Sequence, residues 1–568
     1  MNLFHRYGVT LCQLLLILVF TCSCTLNRDE PSPGTGYNSE QAFQPTVSGS
    51  NTIPVTRSTT PLTTPTSCSE QFIAHDLAHV TTTDDGVIRA FAANGAGVAV
   101  GDLDQDGDEE LIFGAEAGPN HIFWNEGGLA FQITELGQGP TRAVTVVDVD
   151  GDGRRDIVTT TNRGSLNYWH NEANRAFTRQ VLPGVAYPAY AINWGDLDQD
   201  GDLDLVTASY DAGFLTDIGS EYLLSDVAGV YVYENRAGTF RPTRLASEAQ
   251  ALTLALPDLN QDGRQDIVVG NDFAVPDFVW LWSKMGWQAT EPFRVTAYST
   301  MSLDVGDVDN NGTQELLAAD MSPYDITPAT LAQWLPVINR MQQGARLVND
   351  PQTMTNVLQV QAGERWREEA TDRGIGATGW SWTSRFGDLD NDGYLDLYVV
   401  NGMIELGTFG HLPNHELVEE NQALRNDGRG YFVPMPTWQL NSRRSGRSMV
   451  MADLDLDGDL DIVVNNLRGA AQLFENQLCG GQSVQIALRW PTVQNQAGIG
   501  AQLVLHTSLG PLVRDVRAAS GYLSGDAPVV HLGMPVGTTI ERLDVLWPDG
   551  AHSSIPPIIP NQRIVVIR

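Results

Sequence analysis

The 568-residue chain exceeds one ordinary domain and carries a formal net charge of −35, from 34 Lys and Arg against 69 Asp and Glu. That balance excludes nucleic-acid binding, which draws its affinity from basic side chains. The 42% hydrophobic and 18% charged content excludes a solvated polyanion, and 55 Gly with 29 Pro point to a turn-rich chain rather than a coiled coil.

His5 and Arg6 precede an apolar run from Val9 to Phe20. This is the length of a secretory h-region, and too short to span a bilayer. Residues 1–24 are therefore expected to be an export signal. Cys24 after Ser23 loosely resembles a bacterial lipobox, although Thr21 stands where that motif prefers Leu, so Cys24 is a lipidation candidate and simple cleavage the alternative. Residues 25–67, rich in Ser, Thr, Pro and Gly, read as a flexible tether. The expected location is outside the cytoplasm, as a surface or periplasmic lipoprotein or as a secreted protein.

An acidic loop then recurs seven times, with oxygen-bearing side chains at positions 1, 3, 5 and 9 and Gly at position 6. The sets are Asp102, Asp104, Asp106, Glu110; Asp148, Asp150, Asp152, Asp156; Asp196, Asp198, Asp200, Asp204; and Asp258, Asn260, Asp262, Asp266. Then come Asp307, Asp309, Asn311, Glu315; Asp388, Asp390, Asp392, Asp396; and Asp453, Asp455, Asp457, Asp461. Four such groups within nine residues repel one another unless a cation sits between them. The oxygen-only set favours Ca²⁺ over Mg²⁺ and over soft metals, and up to seven structural Ca²⁺ are expected. An EF-hand is excluded by the flanks. Gly97–Val100 before the first loop and Glu110–Phe113 after it read as strands, so each loop is the tip of a β-hairpin.

Two more strand candidates follow each loop, with aromatic-rich segments such as His121–Asn125, Tyr168–Asn171, Tyr231–Asn235, Trp280–Trp282 and Leu473–Asn476. Four short strands per repeat of roughly 46 residues is the signature of a propeller blade. The aromatic residues are read as packing between blades. The expected fold is all-β, a seven-bladed β-propeller over residues 68–480.

Between the fifth and sixth loops, Thr327-Pro328 reads as a helix start, and Leu331, Trp334, Leu335, Ile338 and Met341 follow helical spacing, with Pro336 expected to kink or restart the helix. Extra residues at 211–226 and a short helix at 411–424 are further expected departures. Residues 481–568 lack the acidic loop and read as a small β domain.

The repeats resemble the FG-GAP or VCBS blades of integrin-α-type propellers, in which calcium occupies the hairpin loop between a blade's first two strands. Asn495-x-x-Gly498-Ile499-Gly500-Ala501, Ser520-Gly521-Tyr522-Leu523-Ser524, Val530-His531-Leu532-Gly533 and Trp547-Pro548-Asp549-Gly550 resemble the ASPIC/UnbV domain. The pairing is similar to the cartilage acidic protein family and its bacterial relatives. Because propellers commonly pair the chain's start with the final blade, Cys68 and Cys479 are expected to form a disulfide, as suits an exported protein.

No catalytic motif stands out. Gly374-x-Gly376-x-x-Gly379 lacks the strand–helix context of a dinucleotide site, and His411 with His415 has no fixed acidic partner. Two functions follow from this reading. The first is an extracellular binding or adhesion module for a protein or glycan, monomeric, with its contacts on the calcium-free face. The second is a polysaccharide lyase or hydrolase, which needs a Lys, Arg, Tyr or His cluster in the central pocket; with Lys284 and few other basic residues in the blades, such a site is poorly provided.

Overall fold

The computed structural model describes residues 52–65, 67–161, 166–218, 226–273, 275–343, 351–363 and 365–568. The expected export signal, Cys24 and the first part of the expected tether lie outside them.

Among the described residues, seven antiparallel sheets are built on one plan. The innermost strands are Val98–Gly101, Val144–Val147, Ala191–Gly195, Ala251–Ala255, Ser302–Gly306, Thr383–Gly387 and Gly446–Ala452. Almost all of their residues are buried on both faces, which their runs of small and β-branched side chains allow. Successive innermost strands lie side by side, the second and third joined by the Trp194 indole donating to Thr145 Oγ1 at 3.1 Å. Each acidic loop connects an innermost strand to the next, as in Val98–Gly101 paired with Glu110–Phe113. The seventh sheet takes its outermost strand, Phe72–Val80, from the start of the described chain, in antiparallel register with Ala470–Asn476. Just beyond this pairing Cys68 and Cys479 form a disulfide spanning 411 positions of sequence.

Aromatic residues fill the spaces between sheets, as expected. Trp124, Tyr233 and Phe474 are fully buried, and Trp169 lies so close to Gly137 of the first sheet that a Cβ there would meet it at 2.7 Å.

The C-terminal region forms two four-stranded sheets. One is ordered Gly510–Asp515, Gln502–Thr507, Ile540–Leu546, His552–Ile555; the other contains Gln482–Arg489 between Gln562–Ile567 and Val529–Met534. Leu503, Leu505, Leu532, Leu543, Val545, Trp547, Ile564 and Val566 make its core. Its edge strand is Thr56–Pro61, which pairs with Gln562–Ile567. Those residues are therefore not a flexible tether. Their side chains are all exposed, so no hydrophobic alternation announced a strand that backbone pairing alone holds in place.

The helix Pro328–Gln343 forms where expected, with Thr327 Oγ1 accepting the Thr330 N–H and Pro336 inside it. Trp334 and Val337 are buried, while Leu331 and Leu335 remain exposed. A second helix, Asp211–Ile218, lies in the extra segment of the third unit. The expected helix at 411–424 does not form. Asn414 and His415 adopt left-handed backbone (φ 55° and 58°), which limits the segment to the short turn Pro413–His415 before the strand Gln422–Asn426. Both helices and this turn lie in connections between second and third strands, at the ends of the sheets opposite the acidic loops.

Candidate functional site

In every loop the position 9 carboxylate accepts the backbone N–H of position 2, from Leu103 to Glu110 in the first and Leu454 to Asp461 in the last. In six loops the position 1 carboxylate accepts the N–H of the position 6 glycine, and in the first Asp102 accepts from Gln105. The glycines hold positive φ, 101° at Gly107 and 100° at Gly458, a region closed to most side chains. The chain thus wraps around its own carboxylates.

The position 1 and position 9 carboxylates are buried, Asp102 and Asp258 only in part, and burial is the first cause raising every one of these fourteen. Values reach about 6 at Asp102, Asp156, Asp258 and Asp307, about 7 at Asp148, Asp196, Asp204 and Asp266, and about 8 at Glu110, Glu315 and Asp388. Asp396, Asp453 and Asp461 are pushed well above the carboxylate range, with neighbouring carboxylates adding to burial. Such groups resist ionising unless a positive charge accompanies them.

Ligand atoms converge within 4.8 Å in Asp102/Asp104/Glu110, Asp148/Asp150/Asp152, Asp196/Asp198/Asp200 and Asp307/Asp309/Glu315. In the loops beginning at Asp258, Asp388 and Asp453 the position 1 and 9 carboxylates make the same backbone hydrogen bonds. Asp104 Oδ1, Glu110 Oε1, Asp196 Oδ1, Asp309 Oδ1, Glu315 Oε1 and Asp390 Oδ1 are buried without a hydrogen-bond donor. An all-oxygen set with orphaned acceptors fits a hard divalent cation.

Several features escaped the sequence reading. Position 7 adds a further acidic side chain in some loops: Asp202 and Asp459 are raised to about 7 and about 11, chiefly by burial, whereas position 7 in the second loop is Arg154, paired with Asp152. His170 Nδ1 stands 3.4 Å from Asp150 and 3.3 Å from Asp156. Arginines reach position 3 of other loops, Arg175 to Asp104 at 2.8 Å and Arg425 to Asp390 at 2.5 Å. An asparagine ending the third strand clasps the preceding unit's loop: Asn125 donates to Leu454 O, Asn171 to Leu103 O, Asn426 to Val308 O and Asn476 to Leu389 O, at 2.7–2.8 Å. The recurring Asn after an aromatic-rich strand was the available signal.

The C-terminal domain sits on the acidic loops. Gln494 donates to Val149 O, the Asn495 N–H to Gly201 O, Gln314 to Asp515, and Ser483 to Gly458 O, while Arg563 pairs with Glu109 and His531 meets Asn391. From the same side, residues 519–525 enter the centre of the ring and touch all seven innermost strands. Ala519 O accepts from Asn193, Gly521 O from Thr253 and Leu523 O from the Val144 N–H; the Gly521 N–H donates to Leu303 O and Ser524 Oγ accepts the Met449 N–H. Gly525 bridges Ala99, and a Cβ on Gly521 (φ 68°) would meet Thr383 at 2.8 Å, so glycine is required there. Tyr522 is fully buried, its hydroxyl 2.9 Å from that of Tyr190 and donating to Asn94 O at 3.0 Å, with Trp382 against its ring.

Basic groups do line this centre, contrary to the expectation of few, but they are engaged by the fold. Arg142 pairs with Glu116, and Arg385 with Asp526. Arg447 donates to the carbonyls of Ala93, Gly402 and Gly446 and lies over Trp382 at 4.4 Å, with burial lowering it to about 9. Gly374 and Gly376 lie in a connection between strands and Gly379 opens the short strand Gly379–Trp380, with no following helix to cradle a phosphate.

The family model for the FG-GAP-like repeat matches residues 102–159, 148–207, 258–318 and 415–464, and that for ASPIC and UnbV matches 491–568. Cartilage acidic protein 1 of Mus musculus is 22% identical over 80% of this chain and 70% of its own length. Integrin alpha-3 of Cricetulus griseus is 30% identical over 32% of this chain and 19% of its own. Among solved structures, the Photorhabdus luminescens Tc holotoxin pore is 14% identical over 60% of this chain and 14% of that chain, with a TM-score of 0.28. The chain carries FG-GAP-like repeats, as integrin α propellers do, and a C-terminal ASPIC/UnbV domain, and it is similar over most of its length to cartilage acidic protein 1.

Proposed function

We propose that this protein is an exported, calcium-loaded propeller that acts outside the cytoplasm as a binding or adhesion module for a protein or glycan. The observation that carries the calcium reading is the repeated burial of position 1 and position 9 carboxylates around orphaned oxygens. The 28 residues of the seven loops, with the position 7 carbonyls, are the proposed ligands. Calcium supplies there the positive charge that lets these carboxylates ionise inside the fold, and its role is structural. The Cys68–Cys479 disulfide supports an oxidising compartment.

The position of the C-terminal domain supports ligand contact on the opposite face, since it covers the loops and fills the ring's centre. That filling leaves the lyase or hydrolase reading without the central pocket it requires. On the free face, Tyr324, Ile326, Leu331, Leu335, Leu406 and Val418 are exposed around the helical insertion. Screening of protein and glycan arrays with the full chain tests the reading. Specific binding that weakens in Leu335→Ser and survives substitution on the loop face supports it, whereas turnover of a polysaccharide, or binding that Leu335→Ser leaves intact, contradicts it.

A further inference from the structure

A cavity of about 130 Å³ lies between the C-terminal domain and the fifth and sixth sheets, lined by Arg385, Arg514, Arg517, His531, Asp515 and Asp526 among others. Two of its arginines have carboxylate partners: Arg517 Nη1 lies 2.8 Å from Asp304, and Arg385 Nη1 lies 2.6 Å from Asp526. Arg514 is different. It is only 8% exposed, its Nη1 donates to Val513 O at 2.8 Å, and its Nε and Nη2 are buried with no acceptor. Arg385 Nε is likewise unmet.

The nearby carboxylates are turned elsewhere. Asp307 accepts the N–H groups of Asn311 and Gly312, Asp388 those of Asp392 and Gly393, and Asp515 takes the amides of Gln314 and Gln502. Asp307, Asp388 and Asp515 lend Arg514 charge at a distance but no acceptor, and a buried guanidinium with Nε and Nη2 unanswered is costly, so acceptors for them are expected to come from outside the chain.

His531 defines the chemistry further. Its Nε2 is 2.7 Å from Asn391 Oδ1, and Asn391 Nδ2 donates to Gly458 O, so the amide presents its oxygen to the ring. Nε2 therefore carries the proton by the logic of the network, and Nδ1 is a bare acceptor, buried and without a donor. The cavity thus offers three N–H donors on cationic groups and one acceptor, in the space of about four waters.

We propose that this cavity binds a small tetrahedral oxyanion of the phosphate class. Its oxygens are held by Nε and Nη2 of Arg514 and Nε of Arg385, and its O–H donates to Nδ1 of His531. The anion joins the C-terminal domain to the propeller. Hydrogen phosphate has the required O–H and sulfate does not, so the site discriminates between two ions of similar shape. This inference rests in part on the calcium reading, since Asp307 and Asp388 beside Arg514 are proposed calcium ligands, and it is tested separately by anion binding.

The test is calorimetric titration of the full chain with inorganic phosphate, sulfate and acetate against chloride at constant ionic strength, with calcium below the point of phosphate precipitation. Phosphate is expected to bind one per chain, sulfate more weakly, and acetate and chloride negligibly. Arg514→Met should weaken phosphate by roughly tenfold to a hundredfold, the share of charge-assisted hydrogen bonds. His531→Phe should bring phosphate and sulfate to near equality. Should Arg514→Met fail to fold, the wild-type ranking of anions remains decisive. No oxyanion binding by the wild type, sulfate equal to phosphate, or undiminished phosphate binding by folded Arg514→Met overturns the proposal and leaves the cavity to water or to adventitious ions only.

Discussion

The two faces of the ring are made by the same hairpins and differ in what terminates them. On one face seven short acidic loops follow a single pattern and lie beneath the C-terminal domain. On the other the connections differ in length, carry the helices Asp211–Ile218 and Pro328–Gln343, and expose Ile326, Leu335 and Val418. The first face is constrained by charge, since each loop must balance its own buried carboxylates. The second is constrained only by the need to leave the sheets, so it is free to vary in length and surface. Stability is therefore concentrated on one face, and the proposed recognition on the other.

The largest way to break this contrast is to remove calcium. Chelation should lower the thermal midpoint markedly, because each loop occupied at a hundred times its Kd contributes about 2.7 kcal/mol. The chelated protein should also lose stability as pH rises. Burial holds its position 1 and position 9 carboxylates up at about 6 to 8 or higher when folded, against near 4 when unfolded, so the folded state holds more protons between those values. Their favourable contribution is complete below about pH 4 and is lost through pH 6 to 8. Scanning melts from pH 5 to 8 with chelator should show a falling midpoint and those with calcium a much flatter one; equal slopes would remove charge balance as the distinction between the faces.

Next in size is the plug. Tyr522→Ala deletes a buried ring and two hydrogen bonds and should cost about 3–5 kcal/mol, with amide exchange accelerating in the innermost strands rather than in the outer ones. Breaking the disulfide by Cys479→Ser should cost about 2–5 kcal/mol in chemical denaturation, seen first in the seventh sheet. Asn476→Ala removes one clasp between units and should cost about 1–3 kcal/mol, since the Leu389 carbonyl loses a buried donor. Leu335→Ser, on the open face, should change stability by less than about 0.5 kcal/mol.

The loops were legible because all of their ligands lie within nine residues, and local spacing alone aims Asp102, Asp104 and Glu110 at one point. The hairpins, the helix at Pro328 and the C-terminal strands carried local signals of the same kind. What escaped depends on distant partners. Nothing near Tyr522 tells that it meets Asn94 and Tyr190, and nothing in Thr56–Pro61, polar and exposed throughout, tells that it pairs with Gln562–Ile567. The resemblance of Ser520–Ser524 to ASPIC/UnbV located that segment without revealing that it fills the ring. The short helix expected at 411–424 failed because two consecutive residues there take left-handed backbone, a feature that apolar spacing does not encode.

Whether the buried loop carboxylates hold calcium is measured by the calcium content of the purified protein after equilibrium dialysis, with single loops disabled by Asp156→Asn and by Asp396→Asn. Several calcium ions per chain, approaching seven, are expected, with one lost in each variant. Retention of no calcium by the folded wild-type protein, or an unchanged content in both variants, would contradict the calcium reading.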